Sequence, residues 1–231
     1  MVMYRTSGRK DPNDDWYGKG EFARPGRTPD RMPGTLGSRL DLQKLSAIAL
    51  AMDVADVLRN ASAHSVNFKV EDIAVTPTLM GQVAQQIERG AISVEIGNSG
   101  PNFGASYSSW KTRRVEPGQK KLTGKITVSR HALTTKVGRA AIFHESVHAL
   151  RDVMTYKMKM QQDEAVAYLS DAIYMATEKV TVTNTGLVGA LYKAAYALID
   201  AKGMLANPGV KLTWPDLDPV VKAVAAIPAY S

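Results

Sequence analysis

The segment Ala141–Leu150 contains the pattern His-Glu-x-x-His, which constrains the fold more than any other feature of the sequence. Read as an α-helix, the segment places His144 and His148 one turn apart on the same face, about 6 Å from each other. Two neutral imidazoles at this spacing can bind one small cation, and zinc is the usual one. Glu145 lies beside the first histidine, where its carboxylate reaches a water on the cation rather than the cation itself. The pattern therefore predicts a metal site with a general base next to it.

The same helix has a second interpretation that requires no metal. Its apolar residues form a stripe that is typical of a buried, rigid helix, namely Ile142, Phe143, Val147, Leu150 and Val153. A core helix with two hydrogen-bonded histidines and a glutamate turned to solvent would carry this stripe as well. We favour the metal site because the chain has 4 histidines, and a chance match to the pattern is on the order of a one-percent event.

A catalytic zinc site needs a third protein ligand and an open position for water. Asp152 continues the series of His144 and His148 by another turn, but it lies about 12 Å along the helix axis from His144. That distance is too large for a ligand shell of about 2 Å. No histidine follows His148 in the chain. The third ligand is therefore expected to be a carboxylate from another element.

The segment Asp163–Tyr174 has the periodicity of a second helix, and Glu164 lies near its start. We favour Glu164 as the third ligand, with Asp163 and Asp171 as the alternatives. A carboxylate that does not bind the metal can accept the outer N–H of a ligand histidine, and Asp171 and Asp152 are the candidates for this contact.

The pattern His144-Glu145-x-x-His148, followed by a helix with Glu164-Ala-Val-Ala-Tyr168, resembles the gluzincin metallopeptidases and, among these, small compact members. The resemblance covers residues from about 120 to 178. It implies that His144, His148 and Glu164 bind one zinc ion per chain and that Glu145 is the general base. It also implies that the reaction is hydrolysis of peptide bonds.

One feature of larger gluzincins is missing from this chain. They place a histidine or tyrosine after the third ligand to stabilise the oxyanion, whereas no histidine follows Glu164 here. A tyrosine or an arginine would have to take this role. Tyr168, Asp171 and His131 are our candidates for the oxyanion or for supporting contacts to the ligands.

The resemblance implies an α+β, zincin-like fold, in which a small antiparallel sheet packs on the motif helix and on the second ligand-bearing helix, with further helices around them. Residues 91–97, 104–110 and 122–129 have the pattern of the strands. In zincins the last strand borders the cleft and an extended substrate adds to its edge. We therefore expect the edge strand to comprise Lys125, Ile126, Thr127, Val128 and Ser129.

Outside the motif region, composition predicts two parts. Residues 1–38 are rich in Gly, Pro and Arg, which is typical of a flexible arm, and residues 39–231 are expected to form the zincin-like domain. The chain has no cysteine, which excludes disulfides and thiolate metal sites. Its first residues lack the apolar region of a signal peptide. We expect a cytoplasmic protein, or one exported by a route without a cleavable signal peptide, as an effector or toxin would be.

The formal net charge is +7, and basic residues concentrate between positions 111 and 139. Such a stretch can attract an acidic or otherwise anionic partner, although a solvated face is the more common meaning. Two alternatives to a peptidase remain open. One is a zincin-like protein that binds without turnover, and the other is a basic protein that binds nucleic acid or another anionic polymer.

Overall fold

A computed structural model describes residues 35–97, 104–109, 124–180, 182 and 185–230, with side chains from residue 44 onwards. Most of the predicted arm, residues 1–34, lies outside the described residues. The described part is α+β, as predicted, and mainly helical. Its elements in chain order are α1 (Thr35–Val57), α2 (Ala61–Ser65), β1 (Phe68–Val70), β2 (Ile73–Val75), α3 (Pro77–Glu88), β3 (Ile92–Ile96), β4 (Ala105–Ser109), β5 (Gly124–Val128), α4 (Arg130–Thr134), α5 (Lys136–Met154), α6 (Met160–Thr177), α7 (Gly186–Ala201), β6 (Val210–Leu212) and α8 (Trp214–Ala225).

The strands form two three-stranded sheets. The first sheet has the order β2-β1-β6, with β1 antiparallel to β2 and parallel to β6. The second sheet has the order β3-β5-β4, with β5 parallel to β3 and antiparallel to β4. Both sheets are therefore mixed, and the prediction of a purely antiparallel sheet before the motif helix is wrong. The pattern of residues within a strand indicates a buried face but does not determine the direction of its neighbours.

The predicted edge strand is also wrong. Lys125, Ile126, Thr127 and Val128 belong to β5, which is the central strand of the second sheet and has β3 on one side and β4 on the other. Ser129 follows the strand and caps α4, because its side chain accepts a hydrogen bond from the N–H of Ala132. The outer strands of this sheet are β3 and β4, and β4 contacts α5.

Helices α5 and α6 pack against each other and contain the predicted site residues. Helix α5 is capped by the side chain of Thr135, and it ends at Met154 because the next residue, Thr155, has left-handed backbone angles (φ 56°). Two buried serines, Ser146 and Ser170, donate hydrogen bonds of 2.8 Å to carbonyl oxygens of their own helices. Both buried hydroxyls are therefore paired within their own helices.

The remaining helices enclose this pair. Helix α6 contacts α2, α7 and α8, and α5 contacts α3 and α4. A single core joins the first sheet, the second sheet and the helices, and it contains Phe68, Ile126, Phe143, Leu169 and Tyr174 among its largest buried side chains. Among the described residues, no helix combines the length and the apolar composition that a bilayer span requires.

Candidate metal centre

Two histidines of α5 and one glutamate of α6 face one another between the two helices. Nε2 of His144 lies 3.6 Å from Oε2 of Glu164, and Nε2 of His148 lies 3.6 Å from Oε1 of the same carboxylate. The three side chains offer one ligand atom each, and these atoms all lie within 4.8 Å of one another. The structure thus brings together the three residues that the sequence predicted as ligands, in a group that could hold a metal ion.

The other ring nitrogen of each histidine faces a carboxylate. Nδ1 of His148 lies 3.0 Å from Oδ2 of Asp163, and Nδ1 of His144 lies 3.9 Å from Oδ2 of Asp171. Both aspartates are buried, and both lie behind the histidines rather than in the ligand group. A carboxylate behind an imidazole favours the tautomer with its proton on Nδ1, and this leaves the lone pair of Nε2 free for a cation.

Three carboxylate oxygens of this region are buried and accept no hydrogen bond from any described residue, namely Oε2 of Glu164, Oδ1 of Asp163 and Oδ1 of Asp171. A buried charged oxygen without a donor is costly, and such an atom often indicates an ion that belongs at the site. The oxygen of Glu164 lies among the ligand atoms, so a cation there would satisfy it. The donor set therefore fits a metal ion.

The pKa values of His144 and Glu164 also indicate that this group of side chains stabilises positive charge. Burial alone would lower the pKa of His144, but the surrounding carboxylates of Glu164, Glu145 and Asp171 outweigh it and raise this pKa to about 9. Burial would likewise raise the pKa of Glu164, yet contact with His144 and the charge of His148 lower it overall. The pocket between the two helices thus stabilises positive charge, either as a proton on His144 or as a metal ion.

The predicted general base, Glu145, is half-buried next to this group. Burial raises the pKa of its carboxyl group, while the charges of His144 and His148 offset part of this effect. Its carboxylate also accepts a hydrogen bond from the backbone N–H of Tyr107, which lies on β4. A carboxylate with a raised pKa, fixed beside the metal ligands, has the properties that a general base requires.

Two tyrosines border the ligand group. The ring of Tyr168 is buried and packs edge-on against His144, with 4.5 Å between the ring centroids. The hydroxyl of Tyr230 hydrogen-bonds with Glu164 and with Tyr168. The backbone carbonyl of Tyr230 accepts a hydrogen bond of 2.8 Å from Nε2 of Gln161, which fixes this residue against the start of α6.

Two of the residues considered for supporting roles lie elsewhere. His131 is exposed on α4 and is not part of the group of ligand atoms found among the described residues. Asp152 does not contact a histidine in the part of the chain that the structure describes. Instead it accepts hydrogen bonds from the guanidinium of Arg151 and, at 3.0 Å, from the hydroxyl of Tyr107.

The sequence analysis missed Tyr107 and Tyr230 near the site, whereas the sequence does indicate Tyr192 as a candidate oxyanion donor. Tyr107 lies on a strand with no motif, and Tyr230 lies far along the chain from Glu164. Tyr192, on α7, donates a hydrogen bond of 2.6 Å to Oδ2 of Asp171, and therefore orients the aspartate behind His144. A signal existed only for Tyr192, because α7 is strongly apolar and a tyrosine facing its neighbours there needs a polar partner.

The predicted basic stretch is only partly described. Lys111, Arg113, Arg114, Lys120 and Lys121 lie outside the described residues. Within the described part, Lys125 pairs with Glu95 at 2.8 Å, and Lys136 donates to the backbone carbonyl of Glu178 at 2.7 Å. These two lysines thus have partners within the chain, as a solvated face would have.

The chain was compared with protein-family models, with curated proteins and with solved structures, and none of these matches it.

Proposed function

We propose that this chain is a zinc-dependent hydrolase that cleaves peptide bonds, with a zincin-like core and a ligand set of the gluzincin type. The observation that carries the proposal is the group of His144, His148 and Glu164, whose ligand atoms lie within 4.8 Å of one another beside Glu145. The zincin-like core would consist of the second sheet packed on α5, with α6 supplying the third ligand.

The chemistry of the donor set favours zinc. Two imidazole nitrogens and one carboxylate oxygen are the protein ligands of many catalytic zinc sites, which keep a fourth position open for water. Cysteine is absent from the chain, so no thiolate competes for the metal. When bound, zinc would act as a Lewis acid that lowers the pKa of a water and polarises a carbonyl group.

Glu145 would move the proton in this reaction. Its carboxylate takes a proton from the attacking water and then delivers it to the leaving amine. Burial raises the pKa of this carboxyl group, and the backbone N–H of Tyr107 holds its orientation. Tyr230, whose hydroxyl lies beside Glu164, is our candidate for the donor to the carbonyl oxygen as negative charge develops there.

An extended peptide substrate would lie along β4. This strand is an outer strand of the second sheet, and its residue Tyr107 contacts Glu145 through its backbone. Main-chain hydrogen bonds to such a strand bind a peptide in extended form and leave its side chains to determine specificity. A peptide bond would then lie next to the general base.

Elemental analysis of the purified protein tests the metal site. We expect near-stoichiometric zinc in the wild type and a loss of zinc in His148→Ala. His131→Ala is the matched control, because it removes an exposed histidine outside the ligand group and should keep the metal. A wild type that binds no zinc in the presence of excess metal would refute the proposal.

Hydrolysis of a fluorogenic peptide library tests the reaction. We expect Glu145→Gln to retain zinc and to lose turnover by about 10²–10⁴-fold, since it keeps the shape of the base but cannot accept the proton. Zinc binding without hydrolysis of any peptide would favour a zincin-like protein that binds without turnover. Affinity for nucleic acid that falls steeply with salt and ignores zinc would favour the polymer-binding alternative.

A further inference from the structure

A chain of hydrogen bonds connects strand β4 to the candidate ligand His148. The hydroxyl of Tyr107 donates to Oδ2 of Asp152 at 3.0 Å. Oδ1 of Asp152 accepts from Arg151 through Nε at 3.1 Å and through a terminal nitrogen at 2.9 Å. The other terminal nitrogen of Arg151 donates to Oδ2 of Asp163, and the same oxygen accepts from Nδ1 of His148 at 3.0 Å. Each side chain on this path is charged or polar, and each is hydrogen-bonded directly to the next one.

The sheet has room for this path only because residue 124 is a glycine. A Cβ atom at Gly124 would lie 2.3 Å from the hydroxyl oxygen of Tyr107 and 2.5 Å from two of its ring carbons. Gly124 is buried, and it belongs to the same side of β5 as the buried residues Ile126 and Val128. The ring of Tyr107 thus crosses the sheet over the backbone of Gly124 and reaches the last turn of α5.

Tyr107 also contacts the general base. Its backbone N–H donates to the carboxylate of Glu145, while its hydroxyl begins the path to His148. One residue of β4 therefore contacts the base through its main chain and, through its side chain, contacts Asp152 at the start of the path to His148. A displacement of Tyr107 would change the position of both groups at once.

We propose that Tyr107 and Asp152 are positioning residues that couple strand β4 to the metal site, so that metal binding and the placement of Glu145 depend on each other. The proposal rests on the proposed function, since it assigns a regulation to the same site. Coupling of this kind is reciprocal. If zinc fixes His148 and hence β4, zinc raises the affinity of β4 for a peptide. A peptide that orders β4 must then raise the affinity for zinc by the same factor.

Chelator competition, which measures the affinity for zinc, tests the coupling in a double-mutant cycle of Tyr107→Phe and Asp163→Asn. We expect Asp163→Asn to lower the affinity about 10–100-fold, as is usual for a residue that orients a metal ligand. Tyr107→Phe removes one hydroxyl four contacts away from the histidine, and we expect the affinity for zinc to fall roughly threefold to tenfold. In the Asp163→Asn background the loss from Tyr107→Phe should disappear, because the path is already interrupted.

Two further variants make this test decisive. Tyr156→Phe is the matched control, because this half-buried tyrosine accepts a hydrogen bond from the N–H of Ala74 and is not part of the path. Its affinity for zinc should equal that of the wild type. Asp152→Asn keeps the shape of the side chain while removing its charge. Asp152→Asn should lower the affinity for zinc by as much as Tyr107→Phe does. In the Asp163→Asn background it should cause no further loss of affinity.

The outcomes separate the coupling from the proposed function. If the wild type binds zinc and Tyr107→Phe binds it as tightly as Tyr156→Phe does, the coupling is refuted and the zinc site stands. Equal losses from Tyr107→Phe in both backgrounds would also refute it, because they would indicate a general structural effect. If the wild type binds no zinc, the proposed function fails and the coupling fails with it.

Discussion

The two three-stranded sheets have the same pairing pattern and differ in what their buried residues contact. In each sheet the central strand has one parallel and one antiparallel neighbour. The first sheet buries only apolar side chains in the core, including Phe68, Val70, Val75 and Leu212. The second sheet also buries apolar side chains such as Ile126 and Val128, but in addition it carries the half-buried Tyr107 across Gly124 to a charged partner on α5.

The same pattern of strand pairing therefore has two uses in this chain. In the first sheet it buries apolar side chains, and in the second sheet it also positions a side chain near the candidate metal centre. Apolar burial in the first sheet is non-directional and contributes mainly to the free energy of unfolding. Hydrogen bonds to charged groups in the second sheet are directional, so they fix particular atoms at the cost of desolvating them. We therefore expect substitutions in the first sheet to change stability and substitutions near the second sheet to change the affinity for metal.

The largest effect is expected from Phe68→Ala in the first sheet. Phe68 is fully buried, and its truncation leaves a cavity that should lower the free energy of unfolding by about 3–5 kcal/mol. Urea unfolding measures this loss. The affinity of the remaining folded protein for zinc should not change, and a large fall in that affinity would contradict the division between the sheets.

Asp171→Asn tests a contact to a candidate ligand that involves neither sheet. The side chain lies behind His144 and accepts from Tyr192, with no contact to β4 among its described partners. We expect the affinity for zinc to fall about 10–100-fold, because the carboxylate no longer favours the Nδ1 tautomer. Chelator competition measures the change. In the Asp171→Asn background, Tyr107→Phe should lower the affinity for zinc as much as it does in the wild type. The reason is that Asp171 faces His144, whereas the path from Tyr107 reaches His148.

Gly124→Ala is expected to affect both properties. The added methyl group would overlap the ring of Tyr107, and overpacking of this kind costs about 1–3 kcal/mol. Displacement of the ring would also weaken its bond to Asp152, so the affinity for zinc should fall as it does in Tyr107→Phe. Thermal unfolding and chelator competition measure the two effects. A loss of stability with unchanged affinity would show that the path from β4 does not reach the metal.

The smallest effect concerns a polar contact beside the first sheet. The pKa of Asp216 is lowered to about 2, mainly by its hydrogen bond with Lys202 and to a smaller extent by those with the backbone and side chain of Thr213. An aspartate in an unfolded chain has a pKa of about 3.9, so this contact stabilises the protein above pH 4 and is lost as the pH falls towards 2. The melting temperature of Asp216→Asn should therefore lie slightly below that of the wild type at pH 7 and meet it near pH 2. The affinity for zinc at pH 7 should be the same in both proteins.

Local sequence patterns predicted the helices α3, α5 and α6, and with them the positions of the candidate ligands on α5 and α6. Thr76 and Pro77 begin α3, the apolar stripe around His144 belongs to α5, and Glu164 lies in the first turns of α6. Each of these features depends on residues within a few turns of one another. For this reason periodicity and capping were enough to place them.

The contacts between distant segments were not predictable in this way. The first sheet joins β1 to β6, and its strands of three residues are too short for a period to be recognised. The central position of β5 and the contacts of Tyr107 and Tyr230 also depend on tertiary packing. Sequence patterns describe a buried face, but they do not show which element covers it.

The position of the candidate ligands along the chain has a consequence for folding. His144, His148 and Glu164 lie within residues 144–164, in two helices joined by the short connection 155–159. A helical hairpin closes a short loop and forms quickly, whereas pairing of β1 with β6 must wait for a much longer loop to close. If the chain binds zinc as proposed, we expect the hairpin to be able to acquire the ion before the sheets assemble around it.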